Sequence, residues 1–327
     1  MRAQVIVSKE GKGRLELREV PPPALSPGTV RIAVRAAGVN HADIAQREGR
    51  YAQHATHQGA AAPVAGLEVA GVVIETAPDV TAVTVGDGVM AMCAGGYAGE
   101  VVVDHRLTLA KPDWLGWYEA AAVPVGFITA HNALTDAGRL VAGETVLVTG
   151  ANSVVGMASA QLAKRLGAGR VIGTTSSAAK AHELSTRGFD ETLDYVARPL
   201  AASLAETGGL DVVIDLVAGD WLALLLEAMN VRGRLVSVGR LRGREVAFNL
   251  DVVARKRLEI IGVSFRSRTL EEYARVVERA AADLAQPLRD RELVLPKVEV
   301  LPLAEAERAQ ELLASGRFKG KIVLALD

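Results

Sequence analysis

The stretch "VLVTGANSVVGMASAQLAKRLGA" (146–168) runs from an apolar, β-branched strand through a short loop into an alanine- and leucine-bearing helix. Amides in the first turn of such a helix have no partner within it and receive a phosphate, while glycines let the backbone approach closely. Gly150 ends the strand and Gly156 stands where the helix packs hard on the sheet. Between them lie Ala151, Asn152, Ser153, Val154 and Val155, with Val154 where glycine is usual. A glycine-poor loop weighs little alone. Its place weighs more, because it is the first strand-to-helix turn of a long series.

In that series "TVLVTG" precedes "VVGMASAQLAKRLG", "RVIGTT" precedes "SAAKAHELSTRG", and "LDVVIDLV" precedes "DWLALLLEAMN". "ETLDY", "GRLVSVG" and "RLEIIGVSF" add strands, and runs such as "VVIDLV" are apolar on both faces, as strands covered by helices on both sides must be. The pattern predicts an α/β fold with a doubly wound parallel sheet of about six strands, a dinucleotide-binding Rossmann domain. Upstream, "PPPALSPGTVRIAVRAAGVN", "VAGLEVAGVVIETAP" and "VGDGVMAMCAGGYAGEVVVDH" read as short strands with Gly- and Pro-rich joints, a mostly β, barrel-like domain. The expected division is 1–122 with 266–327, and 123–265. The amphipathic "TLEEYARVVERAAADLAQ" and the strand-like "GKIVLALD" would rejoin the first domain.

The 327 residues are 50% hydrophobic with a net charge of -1 and no block of like charge, which gives no footprint for nucleic acid or an anionic membrane. "MRAQVIVSKEGKGRLELREV" alternates as a first strand or hairpin rather than a signal peptide, and no run is long enough to span a membrane, so the expected location is cytoplasmic. Cys93 is the one cysteine, so no disulfide framework and no cysteine-rich metal cage can form.

The second strand bears on the choice of dinucleotide. An NAD site places an acid about 20 residues after the loop. Here "VIGTTSSAAKAHE" supplies Thr174, Thr175, Ser176 and Ser177 followed by Lys180, hydroxyls and a cation that suit a 2′-phosphate, so NADPH is favoured.

Together "NHADIAQREGRY" (40–51), "GLEVAG" (66–71), "TAHNAL", "GRLVSVG", "SFRSR" and "FKGKIVL" resemble the medium-chain dehydrogenase/reductase superfamily over nearly the whole chain. They are most similar to its zinc-independent quinone oxidoreductases, the zeta-crystallin-like reductases, and to the subgroup containing the tumour-suppressor-induced quinone oxidoreductase. The resemblance implies a GroES-like catalytic domain. In the zinc-bearing members the positions of Asn40 and Leu67 hold a cysteine and a histidine; an amide and an aliphatic side chain do not replace thiolate and imidazole on zinc, and no metal is expected.

The same resemblance implies that Asn40 and Tyr51 line the nicotinamide pocket and that Thr129 lies against the cofactor. Asn152, Ser153, Val154 and Val155 would cover the pyrophosphate, and Ser176, Lys180 and Tyr195 would surround the adenosine phosphate. Val238, Gly239, Arg240 and Leu241, with Ser264, Phe265 and Arg266, would wrap the nicotinamide half. Tyr51, Asn40 and Ser153 are the catalytic candidates.

Without a metal, little lowers the pKa of an alcohol, whereas an electrophilic acceptor needs less help. The expected reaction is therefore hydride transfer from NADPH to a quinone or to the double bond of an α,β-unsaturated ketone, with Tyr51 donating a hydrogen bond and a proton. An enoyl reductase tailoring a biosynthetic intermediate, or a non-enzymatic NADPH-binding structural or sensor protein, are the alternatives. Short-chain reductases need Tyr-x-x-x-Lys, and no tyrosine here has lysine four residues on. Finally, "RLEIIGVSF" (257–265) lacks the proline or interior lysine that blunts a sheet edge, which suggests a homodimer through that strand.

Overall fold

The computed structural model describes residues 1–9, 12–51, 63–176, 178–318 and 320–326. The chain divides into two compact units, Met1–Ile128 with Phe265–Asp327, and Thr129–Ser264. The first boundary falls inside the helix Pro124–Asn132, whose first turn is tied to the first unit where the Val125 amide donates to Glu68 Oε2 at 2.7 Å.

In the first unit Arg2–Lys9 and Lys12–Glu19 form an antiparallel pair. A seven-stranded sheet is ordered Val298–Pro302, Lys321–Ala325, Thr29–Gly38, Glu68–Thr76, Gly88–Met92, Thr108–Ala110, with Glu100–Asp104 also pairing Thr29–Gly38. The strand Thr29–Gly38 explains the arrangement. Val30, Ile32 and Val34 alternate into the core with Val69, Val89, Val101 and Ile322, as period-two patterning requires. Its end, Ala36–Gly38, is small and wholly buried, and there a Cβ on Gly38 would run into the Glu68 carboxylate and lie 2.5 Å from Ala121 O. Glycine at 38 thus opens room for a buried acid. The helix Leu270–Arg289 begins with a capping box, Thr269 N–H donating to Glu272 Oε2 at 2.8 Å, and buries Tyr273, Val276, Val277, Ala280, Leu284 and Leu288 at helical spacing.

The second unit holds six parallel strands in the order Glu191–Asp194, Arg170–Thr175, Thr145–Val148, Leu210–Asp215, Met229–Ser237, Glu259–Gly262. This is the doubly wound order expected of a Rossmann sheet, with its switch between Thr145–Val148 and Leu210–Asp215. Two expected elements shift. The helix in "DWLALLLEAMN" ends at Ala228, because Met229 is already extended and pairs with Leu210. The edge strand covers only Glu259–Gly262 rather than 257–265. Arg257, left-handed at φ 52, closes the preceding helix, and the partner strand ends at Ser237, opposite Gly262, with the Val263 N–H donating to Ser237 O at 3.0 Å just beyond the strand. No helix among the described residues is long and apolar enough to cross a membrane.

Candidate active site

The helix His41–Arg47 in the first unit is capped by Asn40, whose backbone N–H donates to Asp43 Oδ2 at 2.8 Å. The Asn40 side chain turns inward. Its Nδ2 donates to Glu68 Oε1 at 2.9 Å, and its Oδ1 accepts from Lys321 Nζ at 2.7 Å. Lys321 and Glu68 also form an ion pair with both side chains almost wholly buried. Asn40 therefore ties together three segments distant in sequence, and its amide is oriented from both ends by charge. Asn40 is half-buried, and both ends of its side-chain amide are engaged within the first unit.

Below that helix Asp43 is fully buried and accepts a second hydrogen bond from the Tyr97 hydroxyl at 2.7 Å. Burial pushes its carboxyl up to about 7, against the downward pull of the Tyr97 and Asn40 hydrogen bonds and of Lys321. Burial also raises the Tyr97 phenol and the Cys93 thiol well above their ordinary values, so Cys93 is a packed, protonated side chain.

Tyr51 is half-buried, the last residue described before 52–62. Desolvation raises its phenol, the nearby Asp43 charge adds to the rise, and Arg266 opposes it. Its proton is held at neutral pH, as a hydrogen-bond donor requires. The Arg266 guanidinium lies 5.8 Å from the Tyr51 ring centroid, and its Nη1 donates to Arg50 O at 3.2 Å. Phe265 packs at 5.1 Å on the buried Tyr273.

In the second unit Ser153 caps the helix Val154–Arg165, its Oγ accepting from the Gly156 N–H at 3.0 Å. Gly150 sits at φ +63, and a Cβ on Gly156 would stand 2.6 Å from Gly150 O, so both glycines are demanded by the turn. The Val154 and Val155 amides remain in the open first turn, and their side chains are half-buried. Asn152 Nδ2 donates to Thr175 Oγ1 at 3.3 Å, and the Gly150 N–H donates to Thr174 Oγ1 at 3.1 Å. Both threonines are buried, at 1% exposure. This corrects the reading of Thr174 and Thr175 as phosphate-facing hydroxyls: they hold the loop.

Ser176 and Tyr195 follow adjacent, paired strand ends, and the Tyr195 ring meets Trp221 edge-on at 4.8 Å. Ser177 and the Lys180 side chain lie outside the described residues. Thr129 is buried, whereas Arg240 and Leu241 are exposed. Val238 and Gly239 donate their amides to Asp215 O at 2.8 and 3.1 Å, and Ser264 closes this unit.

At the switch point the sequence reading overlooked Thr149 and Asp215. The Thr149 hydroxyl donates to Asp215 Oδ1 at 2.7 Å and accepts from the Leu216 N–H at 2.8 Å; Asp215 Oδ1 also accepts from the Val217 and Ala218 amides at 3.0 Å. Glu68, Lys321, Asp43 and Tyr97 were likewise given no role. Their signal is a charge inside an apolar run, as in "GLEVAG" and "GKIVL", and the capping spacing of "NHAD".

A phosphate-type helix terminus at the switch point of a six-stranded sheet, in a chain that also carries a GroES-like β unit, defines a nucleotide-type dehydrogenase architecture. Residues 26–116 match the alcohol dehydrogenase GroES-like domain family, and residues 154–282 match the zinc-binding dehydrogenase family. The chain belongs to the medium-chain dehydrogenase/reductase superfamily of oxidoreductases and is quinone oxidoreductase-like within it. It is 30% identical to quinone oxidoreductase-like protein 2 of Bos taurus over 97% of this chain and 90% of that one. The quinone oxidoreductase of Thermus thermophilus, solved also as its NADPH complex, is 32% identical with a TM-score of 0.81 over 100% of both chains. The spectinabilin polyketide synthase system protein NorB of Streptomyces orinoci is 37% identical over 92% of this chain, which spans 13% of NorB's length.

Proposed function

We propose that this protein is an NADPH-dependent, zinc-independent reductase that transfers hydride to a quinone or to the β-carbon of an α,β-unsaturated ketone. The observation that carries the reading is the pairing of a proton-bearing Tyr51 with Asn40 and Leu67 at the positions where zinc-bearing relatives hold ligands. Asn40 is engaged by Glu68 and Lys321, and among the described residues no three His, Cys, Asp or Glu side chains form a group that could hold a metal. Reduction of an activated acceptor needs no metal to acidify an alcohol.

The second unit's loop fits a dinucleotide. Gly150 and Gly156 permit close approach, and the amides of Val154 and Val155 stay open for a pyrophosphate whatever their side chains. The strand Arg170–Thr175 ends in hydroxyl residues with no acid to repel a 2′-phosphate, and Ser176, Lys180 and Tyr195 would hold it. NADPH, when bound, supplies the hydride. Tyr51 would donate to the oxygen that gains charge and then release its proton to it, and Asn40, fixed by Glu68 and Lys321, would hold the helix from which the chain runs to Tyr51.

The test is loss of NADPH absorbance on mixing with simple quinones and enones, with Tyr51→Phe expected to lower kcat by about 10²–10³. A loss below tenfold removes Tyr51 from the chemistry. The greater identity to NorB than to the bovine relative favours a second reading, an enoyl reductase of a biosynthetic intermediate; enoyl thioesters in the same panel separate the two. A homodimer through Glu259–Gly262 is also proposed, supported by an unpaired edge on which Ile260 is 42% exposed. Sedimentation should give a dimer that Ile261→Lys dissociates, and a wild-type monomer at micromolar concentration ends that proposal.

A further inference from the structure

Two arginines meet at Tyr51, and their charges are handled differently. Arg50 is paired with Glu48. Arg266 has no carboxylate partner among the described residues, and the stretch 52–62, "AQHATHQGAAA", contains no acid that could serve. Its only hydrogen bond among the described residues leaves from Nη1 to Arg50 O, at 3.2 Å. The Nε and Nη2 edge, the fork that grips a carboxylate or phosphate with two parallel bonds, therefore has no described partner. The guanidinium lies 5.8 Å from the ring centroid of Tyr51, and the Arg266 side chain is exposed while Tyr51 is half-buried.

Exposure decides between two roles for this cation. A group that stabilises charge developing on a reacting oxygen is effective when water is excluded from it. A solvated guanidinium beside the proton donor is instead suited to a charge the substrate already carries. We propose that Arg266 recognises an anionic substituent, a carboxylate or phosphate, on the acceptor whose carbonyl meets Tyr51. The substrate class is thus an anionic enone or quinone, and this rests on the reading of Tyr51 as proton donor. Nη1 stays bound to Arg50 O while the Nε–Nη2 edge takes the anion.

Two measurements separate this inference from the reading beneath it. Binding of benzylacetone and its para-carboxylate, saturated ketones that need no turnover, is measured by calorimetry on the NADPH-loaded protein. Reduction of benzalacetone and its para-carboxylate is measured alongside. Wild type is expected to bind the carboxylate about 5- to 20-fold more tightly than the neutral ketone, the range between an exposed and a bidentate charge pair. Arg266→Gln should abolish the preference, Arg266→Lys should keep part of it, and Arg266→Glu should reverse it. The readout is the ratio of carboxylate to neutral ketone binding at saturating NADPH, which cancels any common effect of the substitution on the cofactor or on Tyr51. Equal binding of the two ketones by wild type overturns the proposal. So does a preference that survives Arg266→Gln, or an Arg266→Gln effect confined to NADPH affinity. If the ketone preference behaves as expected but neither enone is reduced, the anion site stands and the reductase reading falls.

Discussion

The two units organise their candidate residues with different chemistry. Beneath Asn40 the first unit buries an acid with a raised pKa and an ion pair, Asp43 and Glu68–Lys321. Beneath the loop 149–153 the second unit uses neutral hydroxyls, Thr149, Thr174 and Thr175, with one carboxylate, Asp215, whose Oδ1 accepts three hydrogen bonds. A buried ion pair gains little net stability, because desolvation offsets attraction, yet it orients a neighbouring amide firmly. The threonine hydroxyls carry no charge of their own, the buried Asp215 being held by a hydroxyl and two amides, and they leave the helix terminus free for an anion. The first unit's arrangement should therefore be sensitive to the loss of one charge and to pH, and the second's to the loss of a hydroxyl.

The largest effect expected is that of Lys321→Met. It leaves the Glu68 carboxylate buried with Asn40 and the Val125 amide as its hydrogen-bond partners among the described residues, and should destabilise the fold by about 3–5 kcal/mol. Adding Glu68→Gln should restore most of this, since the neutral pair buries no unmatched charge. Urea denaturation of the three proteins checks both. If the double variant is no better than the single, charge is not what Lys321 supplies and the contrast between the units fails.

Thr149→Val should cost about 1–3 kcal/mol, the penalty for leaving the Leu216 amide and part of Asp215 without a partner. Urea denaturation of this variant against the wild type reads that cost, and a loss below about 0.5 kcal/mol would mean that the hydroxyl is not what holds the loop.

The smallest effect concerns Asp43. An acid raised to about 7 in the folded state binds a proton there more readily than in the unfolded chain, where it titrates near 3.8. Its contribution to stability is therefore full below the unfolded value and declines as pH rises from about 4 to about 7. Asp43→Asn, which keeps an oxygen for Tyr97 and the Asn40 amide, should remove that decline. Near pH 8 it should gain about 1 kcal/mol net, the relief of a buried charge being offset by two weaker hydrogen bonds. Thermal unfolding across this pH range reads the slope, and an unchanged slope would show that Asp43 stays protonated or is solvated.

The sequence by itself determined the architecture: alternating strand and helix patterns, the switch of rhythm near residue 145, and Gly150 and Gly156 at the turn are local features, set by steric and hydrophobic periodicity over a few residues. The resemblance to zinc-bearing relatives implies, from the identities of Asn40 and Leu67 alone, that ligand types are replaced there. Only the tertiary structure decided where polar side chains point. Thr174 and Thr175 looked available in sequence, but packing turns them under the loop; for Asn40, Glu68 and Lys321, brought to it across 28 and 281 residues, fix both ends of its amide. The edge strand shortened for the same kind of reason, because its length depends on where its neighbour stops. A side chain's identity states what bonds it can make, but the choice among partners belongs to whatever the fold places within about 3 Å of it.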